Sequence, residues 1–124
     1  MKASFFDLDG TLIEKQKFLM TNFSRHLASK NIFPKKDYSE IENMTSSYFR
    51  KKISYRKVAV ELPRIYSTAL KGVKIEDIER EGETFAEEVI NGYFYPFAID
   101  ITKLMKNYGL TIGISGAPKE VVRP

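Results

Sequence analysis

An unbroken apolar and aromatic run, ASFFDL at residues 3–8, opens the chain and ends in a polar turn, which predicts a short buried strand. From there to about residue 95 the apolar positions recur at helical spacing. Phe18, Leu19, Phe23 and Leu27 make a first stripe, and a break follows over residues 31–36 around Pro34. Asp37 with Glu40 three residues later has the form of a capping box and predicts the start of a second helix. The stripe of that helix is Tyr38, Ile41, Thr45 and Tyr48. A third helix is expected over residues 55–70, with Val58, Leu62, Ile65, Tyr66 and Ala69 on one face. Pro63 should kink or split it, and Gly72 should stop it. A fourth is expected over residues 75–91, with Ile75, Ile78, Phe85 and Val89 inward and Glu76, Glu79, Glu83 and Glu87 off that face. After Pro96, residues 97–107 form a further amphipathic helix closed by Gly109, and LTIGIS at 110–115 reads as a second strand. Gly116-Ala117-Pro118 is a turn, and Pro118 suits the first position of another helix.

The order strand, helices, strand predicts an α/β chain in which the two strands pair in parallel through a right-handed crossover. Residues 14–95 are far too many for a loop, so they should form a small helical subdomain above the strand ends. Residues 1–13 and 96–124 then make the sheet part.

At 124 residues, 43% hydrophobic and 29% charged, the chain is that of one ordinary globular domain. It has no cysteine, which excludes disulfides and thiolate metal sites and points to the cytoplasm. His26 is the single histidine, so a multi-histidine metal site is excluded as well. The apolar runs are too short to span a membrane. The net charge of +4 is mild and suits an anionic ligand such as a phosphate ester, or equally a nucleic acid. The basic cluster Arg50, Lys51, Lys52, Arg56 and Lys57 reads as a solvated helix face or turn, and no nucleic-acid motif accompanies it.

The chemistry concentrates at the predicted strand ends, where open α/β sheets bind ligands. Asp7-Leu8-Asp9-Gly10-Thr11 places two carboxylates on one side of an extended chain. Like charges that close call for a cation between them or a proton on one, and Mg²⁺, a hard oxygen-seeking ion, answers the first need. Gly10 lets the backbone turn sharply as it leaves the strand. At the second strand end, Ser115-Gly116-Ala117-Pro118 supplies a hydroxyl and an exposed N–H before a helix start, which is a setting for an anion. Together the two ends describe phosphoryl transfer, with one aspartate attacking phosphorus and the other protonating the leaving alkoxide.

FFDLDGTL resembles the first motif of the haloacid dehalogenase superfamily, and ISGAPKEVVRP is similar to the second motif of its phosphoserine-phosphatase-like branch. In that branch a helical cap is inserted between the two motifs. The resemblance implies a Rossmann-like parallel sheet core, of which only the first two strands are evident, and a Mg²⁺-dependent phosphatase acting through an aspartyl-phosphate. It implies that Asp7 is the nucleophile and a metal ligand. Asp9 would be the general acid/base, with its backbone carbonyl on the metal, and Thr11, Ser115 and Gly116 would serve the phosphate. The expected substrate is a small phosphorylated metabolite. Members acting on phosphoserine usually carry a glutamate where this chain has Gln16, which argues against phosphoserine. The family's later lysine and acidic motifs match no position here, because the chain ends at Pro124 inside an expected helix. An N-terminal portion of a longer phosphatase is therefore expected. Half of a split enzyme and a shortened binding or assembly module without turnover are the alternatives. In each case a two-stranded sheet exposes apolar faces and edges, which predicts self-association or a completing partner chain.

Overall fold

The computed structural model describes residues 2–14 and 16–118. Among them are five helices and a two-stranded parallel sheet, so the chain is mixed α/β. The strands β1 (Ala3–Asp7) and β2 (Leu110–Ile114) pair with Ala3 opposite Leu110 and Asp7 opposite Ile114. That register brings the turns after both strands out at the same end of the sheet. Gly109 is needed just before the pairing begins. Its φ is +155°, and a Cβ there would collide with the Lys2 carbonyl, the group that accepts the Leu110 N–H at 3.1 Å.

The core lies elsewhere, among α1 (Leu19–Ser29), α2 (Lys35–Phe49), α3 (Tyr55–Ala69) and α4 (Ile75–Gly92). Helix α1 touches the other three. Its stripe works as the spacing predicts: Leu19, Phe23 and Leu27 are all buried. The Phe23 and Phe85 ring centroids are 5.3 Å apart, and the His26 ring stacks against Phe23. His26 Nε2 lies 2.9 Å from Glu81 Oε2, a polar link between α1 and α4 with both side chains largely covered. The hydroxyls of Thr21 and Thr45 meet at 2.7 Å and tie α1 to α2. A fifth helix, α5 (Ala98–Lys106), packs beside β2. No helix among the described residues is long and apolar enough to cross a membrane.

Several sequence expectations change. The first strand is not buried: its residues alternate between exposed and half-buried, and Phe5 is 62% exposed. An apolar run records an affinity for burial, but burial needs a covering layer, and the interior forms between the helices instead. Helix α2 opens at Lys35 with Pro34 as its N-cap, before the expected capping box, so Asp37 lies within the first turn and favours the helix through its charge alone. Helix α3 runs unsplit through Pro63. The buried residues Val58, Leu62 and Ile65 hold it on both sides of the proline, and Ser54 caps it by accepting the Lys57 N–H at 3.2 Å. Ile75, the first residue of α4, is 61% exposed, and burial on that face begins at Ile78. The helix expected from Pro118 onward falls on residues 119–124, outside the described residues.

Candidate functional site

The turn after β1 is tied tightly. The N–H groups of Thr11, Leu12 and Ile13 converge on the Leu8 carbonyl at 3.1, 3.1 and 2.9 Å, and the Gly10 N–H donates to the Ile13 carbonyl at 2.9 Å. Closing so small a loop puts Gly10 at φ +80°, a left-handed conformation that a side chain would resist. The chain then leaves for the bundle beside the point where it returns. Glu14 N–H donates to the Tyr93 carbonyl at 2.9 Å, Tyr95 N–H donates to the Leu12 carbonyl at 2.8 Å, and Ile13 bridges Phe94 between them. These paired crossings fix where the bundle sits relative to the strand ends.

The two aspartates occupy unlike settings. Asp7 is exposed, and its Oδ1 accepts the Leu8 N–H at 2.8 Å. Asp9 is half-buried, and its Oδ1 accepts the N–H of Leu19, the first residue of α1, at 3.0 Å. The N-cap position of that helix is Phe18, whose side chain offers no acceptor. Asp9 therefore caps α1 from ten residues upstream, and one carboxylate serves both the strand end and the bundle. Burial pushes the Asp9 carboxyl up to about 6. The Leu19 N–H opposes that rise, and the nearby Asp7 charge adds to it.

Both carboxylates line a cavity of about 160 Å³. Gly116 and Ala117, from the turn after β2, line it too, so residues more than a hundred positions apart meet there. The opposite wall comes from the bundle: Phe18 and Met20 at the start of α1, and Tyr55, Val58, Leu62 and Pro63 along α3. Of the expected phosphate-binding residues, Gly116 lies in this wall, but Thr11 and Ser115 are not among its lining residues. Thr11 is exposed on the β1 turn. The Ser115 hydroxyl accepts the Ala117 N–H at 3.0 Å, which shapes the turn that carries Gly116. Gln16 is exposed and outside the lining. Lys17 is occupied at the crossings: its ammonium donates to the Gly92 carbonyl at 2.5 Å and lies 3.5 Å from Glu14 Oε2. The basic residues Arg50, Lys51, Lys52, Arg56 and Lys57 are exposed around the α2–α3 turn and the start of α3, as expected of a solvated helix face or turn.

For a metal ion, the site offers the hard oxygen donors of Asp7 and Asp9. Among the described residues no group of three or more acidic or histidine side chains is arranged around a metal position. A donor set this small, such as the Asp7 carboxylate with the Asp9 carbonyl, suits Mg²⁺, which keeps several of its waters and takes phosphate oxygens as further ligands, and would not suit an ion that demands a complete protein cage.

The bundle's share of the cavity was hidden in the sequence. Phe18, Val58 and Leu62 read there as ordinary stripe residues. The Leu19 N–H is a backbone group with no residue signature. The one hint is a helix that begins without its own capping side chain, which calls for an acceptor from elsewhere. Compared with protein-family models, curated proteins and solved structures, the chain matches none of them.

Proposed function

We propose that the chain carries the catalytic strand ends of a Mg²⁺-dependent phosphatase of the haloacid dehalogenase type, with the α1–α4 bundle acting as the cap. The observation that supports this reading is the convergence of Asp7, Asp9 and Gly116 on one cavity covered by α1 and α3. Two carboxylates in one site, of which burial pushes Asp9 up to about 6, suit a division of labour with Asp9 as the acid.

In this reading a carboxylate oxygen of exposed Asp7 attacks phosphorus, and the ester P–O bond breaks. Asp9, which burial keeps protonated to a higher pH than an ordinary aspartate, gives its proton to the departing oxygen. A water then attacks phosphorus of the aspartyl-phosphate, and the Asp9 carboxylate takes the proton of that water. Inorganic phosphate leaves, and Asp7 is regenerated. The Gly116 N–H, exposed on its turn, binds a phosphoryl oxygen. Mg²⁺ bound by the Asp7 carboxylate and the Asp9 carbonyl would neutralise phosphoryl charge. Phosphate release from a generic aryl phosphate, with and without Mg²⁺, tests the proposal. Metal-dependent release that disappears in Asp7→Asn is the expected result. Equal rates in the wild-type chain and the variant would reject turnover and favour the alternative, a binding or assembly module built on the same strand ends.

A further inference from the structure

The wall of the cavity facing the aspartates is uncharged. It is made of Phe18, Met20, Val58, Ala59, Leu62 and Pro63, with the Tyr55 hydroxyl as the one polar side-chain group from the bundle. Among the described lining residues, Asp7 and Asp9 carry the only ionisable carboxyls, and no lysine, arginine or histidine joins them. A carboxylate on the leaving group would face this apolar wall and the two aspartates, with no cation among the described lining residues to pair with it. An apolar body would gain from the same contact.

We infer that the site selects phosphate monoesters whose leaving group is apolar and carries no carboxylate, with α3 around Tyr55, Ala59 and Leu62 setting that choice. The inference rests on the phosphatase reading for its chemistry but not for its ligand preference, which binding alone can report. Among the wall residues Ala59 is exposed on its helix, so it tolerates replacement without disturbing the core. An arginine there places a cation at the wall, and a leucine fills space without adding charge.

The test compares benzyl phosphate with O-phosphoserine, two primary alkyl esters of similar intrinsic reactivity. It measures kcat/KM in the presence of Mg²⁺ and the dissociation constants of both compounds for the Asp7→Asn protein. Benzyl phosphate should be preferred by about tenfold or more in each measurement. Ala59→Arg should erase most of that preference by weakening benzyl phosphate and strengthening phosphoserine. Ala59→Leu should weaken benzyl phosphate without helping phosphoserine. No preference in the wild-type chain, or a preference that neither variant changes, overturns the inference. Absence of turnover together with selective binding of benzyl phosphate would reject the phosphatase and leave the ligand class standing.

Discussion

The helical bundle and the strand pair differ in what holds them. In the bundle, Phe23, Leu27, Ile41, Val58 and Phe85 are almost completely buried, and neighbouring helices share polar links across their faces. In the sheet part, Phe5, Ile99, Leu104 and Leu110 remain more than half exposed. Yet the groups that carry the proposed chemistry, Asp7, Asp9 and Gly116, sit at the ends of those poorly covered strands. Stability and the proposed chemistry are thus housed in different halves, joined by the paired crossings at residues 12–14 and 93–95, the hydrogen bond from Leu19 to Asp9, and the packing of Leu8, Ile13 and Ala117 on the bundle core. Local order at the strand ends depends on a bundle that supplies its own stability.

The division can be broken most forcefully from the bundle side. Phe23→Ala should cost about 3–5 kcal/mol, because it opens a cavity at the centre of the core against Phe85. Phe5→Ser, at a comparable side chain in the sheet part, should change stability by no more than about 0.5 kcal/mol. Paired denaturant titrations check this, and similar losses for the two variants would show that the sheet face is covered in solution.

Next in size is the polar link between α1 and α4. Glu81→Ala leaves His26 largely covered without its partner and should cost about 1–3 kcal/mol. Glu61→Ala removes an exposed pair with Arg64 on α3 and should leave the midpoint unmoved.

The smallest effects lie at the joint itself. Asp9→Asn keeps an oxygen for the Leu19 N–H, whereas Asp9→Ala does not, so the alanine variant should be about 1 kcal/mol the less stable of the two. The pH dependence of the metal-free protein sharpens the point. With its carboxyl raised from 3.8 to about 6, Asp9 in the folded chain keeps a proton that the unfolded chain has already lost over that interval. The folded state binds more protons there, so the Asp9 contribution to stability is present at low pH and is lost as pH rises through about 6. Stability measured from pH 4 to 7 should therefore fall more steeply in the wild-type chain than in Asp9→Asn. Parallel curves would mean that the Asp9 carboxyl is not held in a desolvated setting.

The amino-acid sequence by itself determined the succession of elements, the parallel strand pair and the inward residues of α1 and α3. The elements and their inward faces follow from short-range periodicity, since a helix repeats every 3.6 residues and a strand every two, whatever surrounds them, and the parallel pairing follows from the order strand, helices, strand. It also singled out Asp7 and Asp9, because two carboxylates followed by Gly10 at the end of an apolar run are costly unless used. The tertiary structure decided the burial of the other apolar residues. Phe5 and Ile75 have the same chemistry as residues that end up inside, but burial belongs to a neighbour across space and not to the side chain. It decided that Pro63 lies within one helix, because packing on both sides outweighs one lost hydrogen bond. It gave Asp9 the first N–H of a distant helix, and it set an apolar wall from α1 and α3 over the strand ends. Each of those contacts joins groups far apart along the chain, and their distance in space is set by how the helices pack, which no local pattern records.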